Sequence, residues 1–151
     1  MESYTKYLGI DYGAKRIGIA VSDENKKYSF SRDYVINDNY LLIKLLEIIR
    51  TENISKIIIG YPLNFKSEKT IQTLKIEEFK NLLEGFLKKN SIPAELIYYD
   101  ERFTSKLAAC CLLNSGLKKK KRQEKGLIDS ISAQIILQDY IDKTNKQNIY
   151  N

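Results

Sequence analysis

The sequence predicts an α/β fold: one mixed five-stranded sheet, three antiparallel strands followed by parallel strands, flanked by helices. Three observations predict it. Up to Ile36, apolar and polar residues alternate with period two between short turns. Two later runs, Lys56 to Pro62 and Ala94 to Asp100, are short, apolar and rich in β-formers. Between and after these runs the apolar residues recur at three- and four-residue steps, the period of a core-facing helix. A meander followed by strand–helix–strand units gives a single mixed sheet covered by helices.

The first element is a hairpin. Tyr7 to Asp23 holds two strand patterns separated at Gly13 to Lys15. In the first, Leu8, Ile10 and Tyr12 take one face, and Gly9 and Asp11 take the other. A turn over Gly13 to Arg16 puts Gly18 and Ala20 on the face of Asp11, whereas a loop one residue shorter puts Ile17 and Ile19 there. A carboxylate inside a strand is costly to bury without a partner. One account is an Asx-turn begun by Asp11, with Gly13 in the left-handed region. The other is a carboxylate held to bind a metal or a phosphate-bound cation. Ribonuclease H-like nucleases and actin-like or sugar-kinase ATPases both open in this way.

Lys27 to Ile36 continues as a third antiparallel strand through the β propensity of Tyr28, Phe30 and Tyr34. Asp38 or Asn39 then caps a helix to about Glu52, with Leu41, Leu42, Leu45, Leu46, Ile48 and Ile49 as its apolar stripe. Lys56 to Pro62 reads as a central parallel strand buried on both faces and ended by Gly60 and Pro62. A second helix, Lys69 to about Lys89, carries Leu74, Phe79, Leu82, Leu83, Phe86 and Leu87. Ala94 to Asp100 is the fifth strand, and Glu101-Arg102-Phe103-Thr104-Ser105 follows at its carboxyl end. Thr104 or Ser105 caps a short helix to Asn114 that Gly116 stops. Lys118, Lys119, Lys120, Lys121, Arg122 and Lys125 form a basic loop. Gly126 or Leu127 opens a last helix to about Asp142. Residues 1–142 thus make one domain, followed by a polar, frayed tail over 143–151. The order of elements is the ribonuclease H-like arrangement.

The chain has 151 residues, one domain by length and too few for the two domains of an actin-type ATPase. A net charge of +6 and a pI near 9.1 favour polyanionic partners. No apolar run approaches the roughly 20 residues of a membrane span, and Met1 to Tyr7 lacks a signal-peptide core. The expectation is a cytoplasmic protein without a membrane partner. Cys110 and Cys111 are adjacent in an apolar helical segment, which gives neither a disulfide framework nor zinc spacing. The chain has no histidine, so His-dependent triads and HExxH sites are excluded. Catalysis must rest on carboxylates, Lys, Tyr, Ser, Thr or a bound metal.

Sites in open α/β sheets gather at the carboxyl ends of strands. Asp11 lies near the end of the first strand, and Asp100 and Glu101 at the end of the fifth. Asp129 shares a helix face with Ala133, Ile136 and Tyr140. Helix capping would also account for Asp129, and a strand-end turn for Asp100 and Glu101. Arg16 and Arg102 are placed to hold phosphate oxygens or to pair with neighbouring acids. The basic run before Asp129 fits phosphate-backbone binding, against the alternative of a solvated loop. Tyr61, in the Gly60-Tyr61-Pro62 turn, is suited to stack on a base or to pack.

Four ordered motifs carry a resemblance to a known family: Gly9-Ile10-Asp11-Tyr12-Gly13 with Arg16-Ile17-Gly18; Gly60-Tyr61-Pro62-Leu63-Asn64; Asp100-Glu101-Arg102-Phe103-Thr104-Ser105; and Ile128-Asp129-Ser130-Ile131-Ser132-Ala133-Gln134-Ile135-Ile136-Leu137-Gln138. From about Tyr7 to Asp142 the chain resembles the YqgF/RuvX family of Holliday junction resolvases and precursor-rRNA nucleases. Phe103 stands where Leu is more usual, the loop after Asn64 lacks the family's Gly, and Ser130 to Ser132 replaces a Lys- and Ala-rich form. The resemblance implies a metal-binding, catalytic acid triad of Asp11, Glu101 and Asp129. Oxygen ligands without His suit Mg²⁺ or Mn²⁺, with two ions serving hydrolysis of a phosphodiester. It further implies maturation of small-subunit ribosomal RNA precursor, or else cleavage of branched DNA, with RNA favoured. A non-catalytic nucleic-acid-binding module is the reading of a different class. Junction cleavage needs two sites in a symmetric dimer, and no stretch marks a dimer surface, so monomer and homodimer both stay open.

Overall fold

The hairpin forms as β1 (Lys6–Tyr12) and β2 (Arg16–Ser22), paired antiparallel. Its register sets Gly9 opposite Ala20 and Asp11 opposite Gly18, so the longer turn is the one adopted. The computed structural model describes residues 4–62, 69–100 and 125–150. Gly13 sits in the turn because a Cβ there would lie 2.4 Å from the Arg16 carbonyl oxygen. Close approach, not left-handed backbone, requires the glycine.

β3 (Ser29–Ile36) pairs with β2, and β4 (Ile54–Tyr61) runs parallel to both β1 and β5 (Glu95–Asp100). The five strands lie in the order β3-β2-β1-β4-β5. One face packs on α1 (Leu41–Thr51) and α2 (Ile71–Lys89), burying Leu8, Ile10, Ile19, Leu45, Phe79 and Leu83. The other face packs on α3 (Lys125–Tyr150), burying Ala20, Ile58, Ala133, Ile136, Leu137 and Ile141. No helix among the described residues is long and apolar enough to cross a membrane.

Several boundaries differ from the sequence reading. Neither Asp38 nor Asn39 caps α1: Tyr40 is its N-cap, without a side-chain bond. Asp38 Oδ1 instead accepts from the Tyr40 N–H at 2.9 Å, the turn two residues ahead that Asp side chains form readily. In α2 the buried stripe is Ile76, Phe79, Leu83 and Leu87, while Leu74 and Leu82 lie exposed on the opposite side. The helix starts at Ile71 because Thr70 and Thr73 satisfy each other's backbone N–H groups in a capping box. Thr70→Ala removes one of those acceptors. It is expected to lower stability by about 1 kcal/mol, read from a urea midpoint that moves without a change in slope.

α3 opens at Lys125 and continues past Asp142 to Tyr150. The polar residues beyond Asp142 carry no apolar stripe, so the sequence pattern gives no sign of this extension. They bind by polar contacts instead: Asn145 Nδ2 donates to the Lys26 carbonyl, and Lys143 pairs with Asp139 one turn back. The short helix expected to end at Asn114 and the basic loop before Lys125 lie outside the described residues.

Candidate active site

Asp11 lies within β1, one residue before its carboxyl end. Because Gly9 lies against α3, strand alternation puts Tyr7, Gly9 and Asp11 on the α3 face. Gly18, its cross-strand partner, carries no side chain, so the half-buried carboxylate has open sheet on that flank. Asp100 ends β5 and is exposed, opposite Tyr61 at the end of β4. Since β1, β4 and β5 are parallel, Asp11, Tyr61 and Asp100 all lie at one end of the sheet. Arg16 opens the antiparallel β2 and therefore lies at that end as well. None of Asp11, Arg16 and Asp100 stands without an interaction partner.

Gly9 fixes how α3 approaches. A Cβ at Gly9 would fall 2.8 Å from Leu137 Cβ and 2.9 Å from the Ala133 carbonyl oxygen. One turn further along the helix, the Tyr140 ring meets Tyr7 edge-on at 6.0 Å. α3 thus runs antiparallel to β1, and helix position 129, one turn before Ala133, lies on the Asp11 side of Gly9. Glu101, Arg102 and Lys118 to Arg122 lie outside the described residues, as do the side chains of Lys125 and Asp129. Among the described residues no three metal-ligating side chains cluster.

Tyr61 is not placed to stack on a base. Its ring packs on Tyr98 with centroids 4.7 Å apart, and its hydroxyl donates to Glu77 Oε1 at 2.6 Å. That hydrogen bond and the Lys69 ammonium, 2.9 Å from the same oxygen, hold the Glu77 carboxyl below its usual range. The bond to Glu77, then burial, raise the Tyr61 phenol. A hollow of about 440 Å³, lined by Tyr12, Asn37, Leu41, Leu42 and Phe79 among others, opens on the α1/α2 side. It lies across the sheet from Asp11 and belongs to a different surface. On the α3 side, burial followed by the hydrogen bond to Asp139 raises the Tyr99 phenol. Tyr99 also meets Tyr140 edge-on at 6.2 Å, so this tyrosine cluster is a packing device beneath the helix.

A mixed sheet with carboxylates at the ends of β1 and β5 and a helix docked over β1 is the ribonuclease H-like fold. The chain superposes on the fowlpox virus resolvase, solved with Holliday junction DNA, with a TM-score of 0.60 at 10% identity, covering 93% of this chain and 99% of that one. Thermus thermophilus RuvC in complex with Holliday junction substrate gives a TM-score of 0.55 at 13% identity, covering 93% and 96%. The chain belongs to the RuvX family, described as Holliday junction resolvase, whose family model matches residues 5–143. It is 42% identical over 146 residues to a protein of Sulfurihydrogenibium sp., covering 95% of this chain and 94% of that one. A protein of Flavobacterium psychrophilum is 39% identical over 139 residues, covering 91% and 97%. Both relatives carry the name "Putative pre-16S rRNA nuclease".

Proposed function

We infer that this chain is a divalent-metal-dependent nuclease that trims the precursor of small-subunit ribosomal RNA. The observation that carries the reading is Asp11, a carboxylate on the sheet face under α3, with glycine as its cross-strand partner and position 129 on its side of the helix crossing. The names of the relatives favour ribosomal RNA precursor as substrate. Such a substrate assigns the protein to the cytoplasm.

The chemistry of the donors suits the group. Asp11 offers hard carboxylate oxygens, and a chain without histidine presents no softer nitrogen competitor from imidazole. Asp11, Glu101 and Asp129 would hold Mg²⁺ or Mn²⁺, with two ions as the expected number. When bound, such ions supply Lewis-acid stabilisation of phosphoryl oxygens and an activated water for in-line attack. Arg16 and Arg102 hold non-bridging phosphate oxygens as bidentate donors. Lys118, Lys119, Lys120, Lys121, Arg122 and Lys125 hold the flanking phosphates without reading sequence.

The test is cleavage of a precursor-like RNA spanning the small-subunit 5′ boundary beside a four-way DNA junction, with Mg²⁺ or Mn²⁺ and with a chelator. The RNA is expected to be cut, chelation to stop the reaction and added Mn²⁺ to restore it. Binding should weaken with salt by a log–log slope of about −0.7 per phosphate neutralised, and replacing Lys118 to Arg122 by Gln should flatten that slope. Cutting of the junction alone would transfer the reading to the resolvase activity in the family's description. Binding without cutting on either substrate would leave a nucleic-acid-binding module.

A further inference from the structure

The edge strand β3 contains a bulge beside the Asp11–Gly18 pair. Ile19 of β2 lies opposite Arg32, but Ile17 lies opposite Val35. Two steps along β2 are therefore matched by three along β3, which leaves one extra residue on the edge strand. Ile17 and Ile19 belong to the core under α1 and α2, so Arg32 and Val35 take that face as their partners do. Asp33 and Tyr34, between them, both fall on the opposite face. That is the face of Asp11.

Across the sheet Asp11 lies opposite Gly18, and Gly18 is flanked on its other side by the bulged pair Asp33 and Tyr34, so a glycine separates Tyr34 from Asp11. At about 5 Å per strand, Tyr34 and Asp11 are roughly 10 Å apart along the sheet. Tyr34 is 44% exposed. Tyr7 and Tyr99, on the same side of the sheet, both pack edge-on against Tyr140, but the Tyr34 side chain has no ring pair or hydrogen bond among the described residues. Ile36, 45% exposed, is the cross-strand partner of Arg16 and continues the surface. The result is a ledge of aromatic ring and aliphatic side chain at the margin of the site, with Arg16 beside it on β2.

Resting on the nuclease reading above, we propose that Tyr34 is a stacking platform for an unpaired nucleobase of the substrate strand, next to the phosphodiester being cut. The chemistry selects a base over a phosphate. Tyr34 presents a π-face, and the Asp33 carboxylate beside it repels phosphate while accepting from base amino groups. Arg16 supplies the cation for the adjoining backbone. Stacking of this kind tolerates any base, which suits a ledge without a shaped pocket. It favours single-stranded over duplex substrate, because a base inside a duplex has its faces covered by stacking on the neighbouring base pairs. Tyr34 is a positioning residue and takes no part in bond breaking.

The absence of tryptophan makes Tyr34→Trp a single-site reporter. In an Asp11→Asn background, which keeps the strand intact, its emission is expected to be quenched by a single-stranded oligoribonucleotide and not by inorganic polyphosphate. Tyr34→Ala should weaken binding of that oligonucleotide about tenfold or more, Tyr34→Phe should stay within about twofold, and a blunt duplex should bind all three proteins alike. Unchanged emission at saturating RNA, or wild-type affinity in Tyr34→Ala, would overturn the platform while continued RNA cleavage left the nuclease reading standing. Failure of the unsubstituted protein to bind or cut any nucleic acid would overturn both together.

Discussion

Asp11→Asn protein is expected to stay folded in the absence of metal, with a melting temperature within a few degrees of wild type, and to lose at least about 10³-fold of its cleavage rate. Asn matches Asp in size and fits the same strand position, so packing against α3 is preserved. What disappears is a negative charge and one oxygen donor on the face between Gly18 and β4. A metal that binds only the folded protein raises its stability by mass action. The wild type should therefore melt higher as Mn²⁺ is added, and Asp11→Asn should respond far less. Single-turnover rates and a Mn²⁺ melting series, taken together, separate loss of metal from loss of fold. An Asp11→Asn protein that cuts RNA at the wild-type rate would remove Asp11 from the chemistry.

Gly9→Val is expected to cost about 1–3 kcal/mol, the usual range for overpacking a tight interface, with a melting temperature lower by roughly 2–12 °C. The reason is geometric: even a single Cβ at Gly9 would lie 2.8 Å from Leu137 Cβ and 2.9 Å from a backbone oxygen of α3. The oxygen belongs to a helix ladder and cannot swing away as a side-chain tip can. α3 must lift from β1, and the lift displaces position 129 relative to Asp11. Cleavage should fall further than the unfolded fraction explains, measured well below the melting point. Gly85→Ala is the control, since a Cβ there meets nothing within 4 Å on the exposed side of α2. It should stabilise the protein by up to about 1 kcal/mol. Wild-type stability and cleavage in Gly9→Val would show that the close approach of α3 does not depend on Gly9.

The sheet was readable because its signals are local. Alternation in Tyr7 to Asp23 specified the hairpin, and the Gly9/Ala20 and Asp11/Gly18 pairs followed from a single choice of turn length. The continuous apolar run at Ile57, Ile58 and Ile59 could only be a strand with a layer on each side. Features that depend on two segments meeting were not readable. Gly9 looks like any strand glycine until Leu137 and Ala133 arrive over it. The extra residue in β3 leaves the alternation of Tyr28 to Ile36 outwardly regular, so Tyr34 read as an ordinary strand tyrosine. The motif at Gly60-Tyr61-Pro62 suggests a place for Tyr61 in the site, but strand alternation turns it to the α2 side, where its hydroxyl donates to Glu77. Asp11 was conspicuous for a physical reason: a charge in a strand contradicts its surroundings.

α3 also governs what the sheet does to its neighbours in solution. The Ser29 N–H donates to Gln138 Oε1, Gln134 Nε2 donates to the Ser29 carbonyl, and Gln138 Nε2 donates to the Lys27 carbonyl. These amides occupy backbone groups at the start of the outermost strand, where an incoming chain would otherwise dock by strand addition. The helix that completes the core thereby blunts one end of this edge against edge-to-edge polymerisation and aggregation.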